Sequence, residues 1–241
     1  MADTVSLVIA RDDRLERGPD GRANAQRQKL RARLGERLMR IALDDASGAG
    51  ARLWRIGRDA SGRPFACGAP PDAGHLEVSL THSGGFLAAA ASGCTALAVD
   101  VEVTRERRFT DLARQLPWPA SCTDTALTCN RFYQLWTLWE ATLKLPGGSG
   151  EPQRALFAAL AHALPPGVPG TAAAAGGFAQ SWLCPDRFWL TVVSLGRRAP
   201  RMRLLAVAAW GRHGEAARLV AHEAVAGTLA APAVARHPPL C

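Results

Sequence analysis

From Asn24 to Leu43, "NAQRQKLRARLGERLMRIAL" sets Leu30, Leu34, Leu38, Ile41 and Ala42 at helical spacing with arginines on the other sides, which predicts a basic amphipathic helix. The period then changes. In "HLEVSLTHSGGFLAAAASGCTALAVDVEV", Leu76, Val78 and Leu80 alternate with Glu77, Ser79 and Thr81, Gly84 and Gly85 offer a turn, and residues 86–92 and 96–103 are short apolar runs. A three-stranded antiparallel meander is the simplest expectation. The prolines of "LPWPASCTD" predict a loop, and a strong helix is expected over about residues 127–145. Beyond it, "GSGEPQRALFAALAHALPPGVPGTAAAAGG" predicts a short helix and a Pro/Gly/Ala-rich loop, while "RFWLTVVSL" and "RLLAVAAW" predict strands. The Ala-rich stretch from Arg212 onward is expected to be a helix ending before the Pro-rich terminus. The class is α+β, with helix followed by strands in both halves and no sequence repeat.

A chain of 241 residues with 48% hydrophobic content supports a real core, in one large domain or two small ones. It has no run of 18 uninterrupted apolar residues, and "MADTVSLVIARDDR" lacks the basic leader and long apolar segment of a signal peptide. The expectation is a cytoplasmic protein with no membrane partner. Its six cysteines (Cys67, Cys94, Cys122, Cys129, Cys184, Cys241) form no C-x-x-C pair and are spread among apolar neighbours, as in a reducing compartment. Neither zinc nor a disulfide framework is indicated. The net charge is +8, and of 29 cationic side chains only Lys29 and Lys144 are lysines. A basic surface favours phosphorylated or acidic partners. Scattered arginines, without aromatic interleaving or a zinc-finger spacing, argue against nucleic acid.

Three places carry candidate chemistry. Asp100 and Glu102, two apart on a strand, project from one face and suit a hard divalent ion, Mg²⁺ above all; a solvated polar face of an edge strand reads the same way. Glu140 and Lys144, four apart, flank the helical stripe Phe132, Leu135, Trp136, Trp139 and Leu143. Such a pair is ordinarily a surface contact worth ~0.2 to 0.5 kcal/mol. A lysine in an arginine-rich chain, however, offers a compact point charge suited to a phosphate. His82, with Thr81 and Ser83 beside it and two glycines after, could donate to a phosphate or be a turn histidine without a ligand. Arg63 is expected on a loop broken by Ser61, Gly62 and Pro64.

Taken in order, "GRPF" at 62–65, "THSGG" at 81–85, "AVDVE" at 98–102 and "WTLWEATLK" at 136–144 resemble the motif series of the 4'-phosphopantetheinyl transferases of the broad-specificity, surfactin-synthetase-activating type. The likeness spans about residues 22–146. It implies a pseudo-dimer of two similar α/β subdomains, each a small antiparallel sheet on a long helix, with coenzyme A between them. Residues 1–96 would form the first subdomain, 97–211 the second with the metal site, and 212–241 a tail. Asp100, Glu102 and Glu140 would bind Mg²⁺, Lys144 the pyrophosphate, and His82 with Arg63 the adenosine phosphates. Arg27 falls where the family has Asp-Ala-His-Arg and is a further phosphate candidate. Glu140 and Lys144 would be catalytic, moving the phosphopantetheine arm onto a serine of an acidic acyl or peptidyl carrier protein and releasing adenosine 3',5'-bisphosphate. The enzyme would serve polyketide, fatty-acid-like or nonribosomal peptide assembly as a monomer. Three positions depart from the pattern: Thr81 for serine, Ala98 for glycine, and Trp139 for the lysine before the glutamate. The last points to an alternative, a non-catalytic homologue that binds coenzyme A or a carrier protein.

Overall fold

Residues Thr4–Arg11, "TVSLVIAR", carry apolar side chains on both faces, and the strand they form, β1, is buried along six consecutive positions inside a sheet. The computed structural model describes residues 4–15, 24–48, 54–68, 74–93, 96–105, 109–116, 118, 127–147, 150–184, 188–196, 199–210 and 216–223. Helix α1 (Asn24–Ser47) follows, then strands β2 (Arg55–Arg58), β3 (Pro64–Cys67), β4 (Glu77–Ser83), β5 (Phe86–Ser92) and β6 (Ala96–Val103). Helices α2 (Phe109–Gln115), α3 (Cys129–Leu143) and α4 (Glu151–Ala163) come next. Strands β7 (Gly170–Ala174), β8 (Gly177–Cys184), β9 (Phe188–Leu195), β10 (Arg201–Trp210) and β11 (Ala216–Glu223) complete the order.

Two sheets organise these elements, one ordered β11-β10-β1-β5-β4 and the other β6-β9-β8-β7; β2 and β3 form a separate hairpin. All pairings are antiparallel except β1 with β10. Side-chain alternation then stacks the layers. Val8 and Ala10 of β1 face α1, where they meet Leu34, Leu38 and Ala42. Val5, Leu7 and Ile9 point the other way, onto Val99 and Val101 of β6 and Leu190 and Val192 of β9. The far face of the second sheet meets Phe132, Leu135 and Trp139 of α3 and Phe157 and Leu160 of α4. The result is helix, sheet, sheet, helix, an α+β architecture as the sequence predicts. Gly35 lets α1 come close to β4, since a Cβ there would lie 2.7 Å from Leu80 Cδ2.

Several local expectations are corrected. The 76–103 segment is not a three-stranded meander: β4 and β5 pair, but β6 crosses into the second sheet beside β9. Its odd-numbered valines can cover the first sheet only from there. The Pro/Gly/Ala-rich loop expected after the short helix contains β7, which pairs with β8. Residues 216–223 are a strand and not a helix, because β10 presents an edge for them to pair with and sheet pairing overrides alanine's helix preference. Thus β10, in the segment assigned to a second subdomain, and β11, in the segment assigned to a tail, both complete the first sheet. Cys94, Cys122, Cys241, most of "LPWPASCTD" and the Pro-rich end lie outside the described residues.

Candidate functional site

Strand β6 has β9 on one side only, and an unpaired strand edge leaves a row of N–H and C=O groups that must find partners when buried. Side chains supply them. The N–H groups of Val99, Val101 and Val103 donate to the hydroxyls of Ser79, Thr81 and Ser83 at 3.1, 3.4 and 3.1 Å. Each rung joins residues 20 apart, so β4 runs alongside β6 in the same direction without a backbone ladder. On the carbonyl side, Lys144 Nζ donates to Val99 O at 3.2 Å and Arg63 Nη2 reaches Leu97 O at 3.5 Å.

Both cations are delivered by local turn chemistry. Gly62, at φ +84°, turns the β2–β3 hairpin, and the Asp59 carboxylate accepts from Ser61 N at 2.9 Å, Ser61 Oγ at 2.6 Å and Arg63 N at 3.0 Å. The Ser61 hydroxyl, then the backbone N–H groups and the Arg63 charge, hold Asp59 below the usual carboxylate range despite some desolvation. Arg63 also pairs with Glu77, Nη2 to Oε2, at 2.7 Å. Helix α3 starts on Thr128, whose hydroxyl accepts from Arg131 N at 3.1 Å, and its helical residues stop at Leu143, three before Pro146. Lys144 is its C-cap, and the side chain turns back over the edge of β6.

Lys144 Nζ donates to Asp100 Oδ1 at 2.6 Å and to Thr81 Oγ1 at 3.1 Å. The pair is with Asp100 on β6 and not with Glu140 one turn back, so this is no surface i,i+4 contact. Asp100 is 4% exposed, and its Oδ2 is buried without a hydrogen-bond partner. Burial pushes the Asp100 carboxyl up, while Lys144 and Thr81 pull it down. Glu140 is raised by burial first and then by the charge of Asp100, against Lys144. Glu102 is held by Ser83, whose hydroxyl donates to Oε2 at 2.8 Å.

A cleft of about 800 Å³ opens beside this edge, lined among others by Arg58, Arg63, Ser79, His82, Lys144 and Pro146. It therefore gathers Arg63, His82 and Lys144 from three elements distant in sequence. Asp100 joins it through Lys144, and Glu140 lies near enough to feel Asp100. Arg27, half-buried on the first turns of α1, is not among the lining residues. His82 is exposed on the side of β4 opposite Thr81, and what burial it has, followed by the charges of Arg31 and Lys144, lowers its pKa.

No family model and no curated protein matches the chain.

One residue acting on this site, Arg31, and the role of another, Thr81, escaped the sequence reading. Arg31 of α1 acts on His82 electrostatically, and its Nε is buried without a hydrogen-bond partner. Its signal was present, since it stands one helical turn beyond Arg27. Thr81 links Asp100, Lys144 and Val101, which the alternation of β4 alone could not reveal.

A divalent cation finds suitable chemistry at part of the expected set. Asp100 keeps a buried oxygen with no partner, and Glu140 is close enough for the Asp100 charge to raise it. Among the described residues, no group of three or more His, Cys, Asp or Glu side chains stands together as a metal cluster, and Glu102 is turned onto Ser83. No helix among them is long and apolar enough to cross a membrane.

Proposed function

We propose that this protein is a Mg²⁺-dependent 4'-phosphopantetheinyl transferase that loads acyl or peptidyl carrier proteins from coenzyme A. The observation that carries the reading is the Lys144–Asp100 pair, 2.6 Å long, at a cleft shared with Arg63 and His82. Arg63, His82, Asp100 and Lys144, one from each of the four motifs, come together there. The four layers would be two halves of one pseudo-dimer, with β10 and β11 crossing back to the first.

Transfer of a phosphoryl group needs charge neutralised, an aligned nucleophile and an acceptor for its proton. Arg63 and His82 would hold the adenosine phosphates and Lys144 the pyrophosphate. Asp100 and Glu140, with Glu102 behind them, would hold Mg²⁺, which when bound neutralises pyrophosphate oxygens. The carrier serine Oγ would form the new P–O bond as the bond to adenosine 3',5'-bisphosphate breaks. Glu140, beside the pyrophosphate, would take the serine proton. The acidic carrier would be drawn to a chain of net charge +8.

Incubation with apo-carrier proteins, coenzyme A and Mg²⁺ should add the phosphopantetheine mass to the carrier, and a chelator should abolish the gain. No gain with several unrelated carriers would sink the reading. A second reading, a homologue that binds coenzyme A without transferring anything, draws on the fact that Lys144 already neutralises the buried aspartate. Calorimetry showing coenzyme A binding beside absent loading would favour it.

A further inference from the structure

The three hydroxyl rungs between β4 and β6 do the same thing for the backbone and different things for the site. Ser79, Thr81 and Ser83 each accept one N–H from the edge of β6. Ser83 and Thr81 also donate to a carboxylate, Glu102 and Asp100 respectively, both at 2.8 Å. At Thr81 the hydroxyl is saturated. It has one proton to give and two lone pairs. Val101 N–H and the Lys144 ammonium can only donate, at 3.4 and 3.1 Å, so the Thr81 proton is directed to Asp100 Oδ1.

The consequence falls on Asp100. Its Oδ1 receives two donors, from Thr81 and from Lys144 at 2.6 Å, whereas Oδ2 receives none and is buried. A carboxylate on a single bond from Cβ rotates unless something pins one oxygen. Here the Thr81 hydroxyl pins it together with the Lys144 ammonium, and the same hydroxyl gives Lys144 a third acceptor beside Asp100 Oδ1 and Val99 O. We propose that Thr81 is a positioning residue that fixes the rotation of the Asp100 carboxylate, leaving Oδ2 as the oxygen offered to a ligand, and anchors Lys144 at the cleft. The functional meaning of that arrangement rests on the transferase reading; the anchoring of Lys144 does not.

The chain's two lysines provide a direct readout, because Lys29 is exposed and can serve as an internal reference for Lys144. Amine-selective labelling of the folded protein, quantified by peptide mass spectrometry, should show Lys144 protected. Thr81→Val keeps the volume and deletes the hydroxyl. It should raise Lys144 labelling relative to Lys29 by about fivefold, the factor expected for one ordinary net hydrogen bond. Thr81→Ser should return the ratio to within about twofold of the parent, since one hydroxyl with the same three partners is restored. Ser79→Ala removes the equivalent backbone rung and should leave the ratio within about twofold, because its hydroxyl does not touch Lys144.

An unchanged ratio in Thr81→Val, or an equal rise in Ser79→Ala, overturns the proposal, the second because a purely structural rung would account for it. Should Thr81→Val fail to fold, Thr81→Cys, a weaker donor and acceptor of similar size, must still raise the ratio, and no rise overturns the proposal. Where the parent loads carriers, Thr81→Val should raise the apparent KM for Mg²⁺ by about tenfold with kcat affected less, the cost of a mispositioned charged ligand. An unchanged KM overturns the assignment for Asp100. If the parent loads nothing, the transferase reading falls while the labelling ratio still decides whether Thr81 anchors Lys144.

Discussion

On one flank of α3, Trp139 is 5% exposed and lies edge-on to Phe157 of α4, ring centroids 5.1 Å apart. On the other, the next residue is Glu140, and Lys144 reaches Asp100 across the edge of β6. A buried hydroxyl chain runs beneath that polar flank, Thr137 to Thr191 at 2.7 Å and Thr191 to Ser181 at 2.8 Å. One residue step turns a helix by about 100°, enough to send neighbours in sequence into opposite chemistry. The difference bears on the lysine that the resemblance expects at position 139. In this chain that position belongs to the aromatic core and not to the cleft, so a cation there would meet Phe157 and no phosphate.

The largest effect should come from testing that flank. Trp139→Lys loses a packed indole and places an ammonium among apolar side chains, a cost of at least about 4 kcal/mol. Denaturant unfolding should show it directly, and carrier loading should not improve. A stable Trp139→Lys protein with faster loading would put residue 139 on the polar flank instead. Trp139→Phe keeps the aromatic contact and should cost only about 1 to 2 kcal/mol.

The polar flank should respond the other way, with function lost more than stability. Lys144→Met removes the cation proposed for the pyrophosphate, and loading should fall by about two to three orders of magnitude, the scale of one transition-state electrostatic contact. Asp100 is then a buried charge without its cation. Because Lys144 is a third exposed, at 33%, solvent moderates the loss. A stability change of about 2 kcal/mol is expected, short of that for a fully buried pair. Asp100→Asn on the Lys144→Met background should recover stability and no loading. Recovery of both would mean that the pair is structural and that the chemistry lies elsewhere.

Much of this contrast is legible in sequence. The stripe of Phe132, Leu135 and Trp139 marks the core face of α3, and the spacing of Leu34, Leu38 and Ala42 marks that of α1, since both helices cover only one sheet. "AVDVE" shows two carboxylates on one face because strand alternation is local. What escaped depends on neighbours far along the chain. The strand "TVSLVIAR" is buried on both faces and so has no alternation to read. "GTAAA" and "AARLVAHE" lack the β-branched runs that mark strands, and only pairing with β8 and β10 makes them so. The transfer of β6 to the second sheet is invisible for the same reason. With it went the role of Thr81, whose partners lie 19, 20 and 63 residues away.

The smallest expected effect concerns the electrostatics at His82, on which the Arg31 charge acts. Burial, then Arg31, then Lys144 disfavour the imidazolium, so the folded-state pKa lies below the ordinary ~6.5. Between those two values the unfolded chain holds more protons than the folded one, so stability rises with pH there and is lost as pH falls from about 6.5. A phosphate bound beside His82 reverses the preference. It favours the charged ring, so binding takes up a proton, and coenzyme A affinity should increase as pH falls through the same window, by about threefold. Calorimetry in two buffers of different ionisation enthalpy would report the proton directly. His82→Gln should abolish both the uptake and the pH slope while leaving coenzyme A bound through Arg63 and Lys144. A slope that survives the substitution would assign the proton to another group and remove His82 from the phosphate wall.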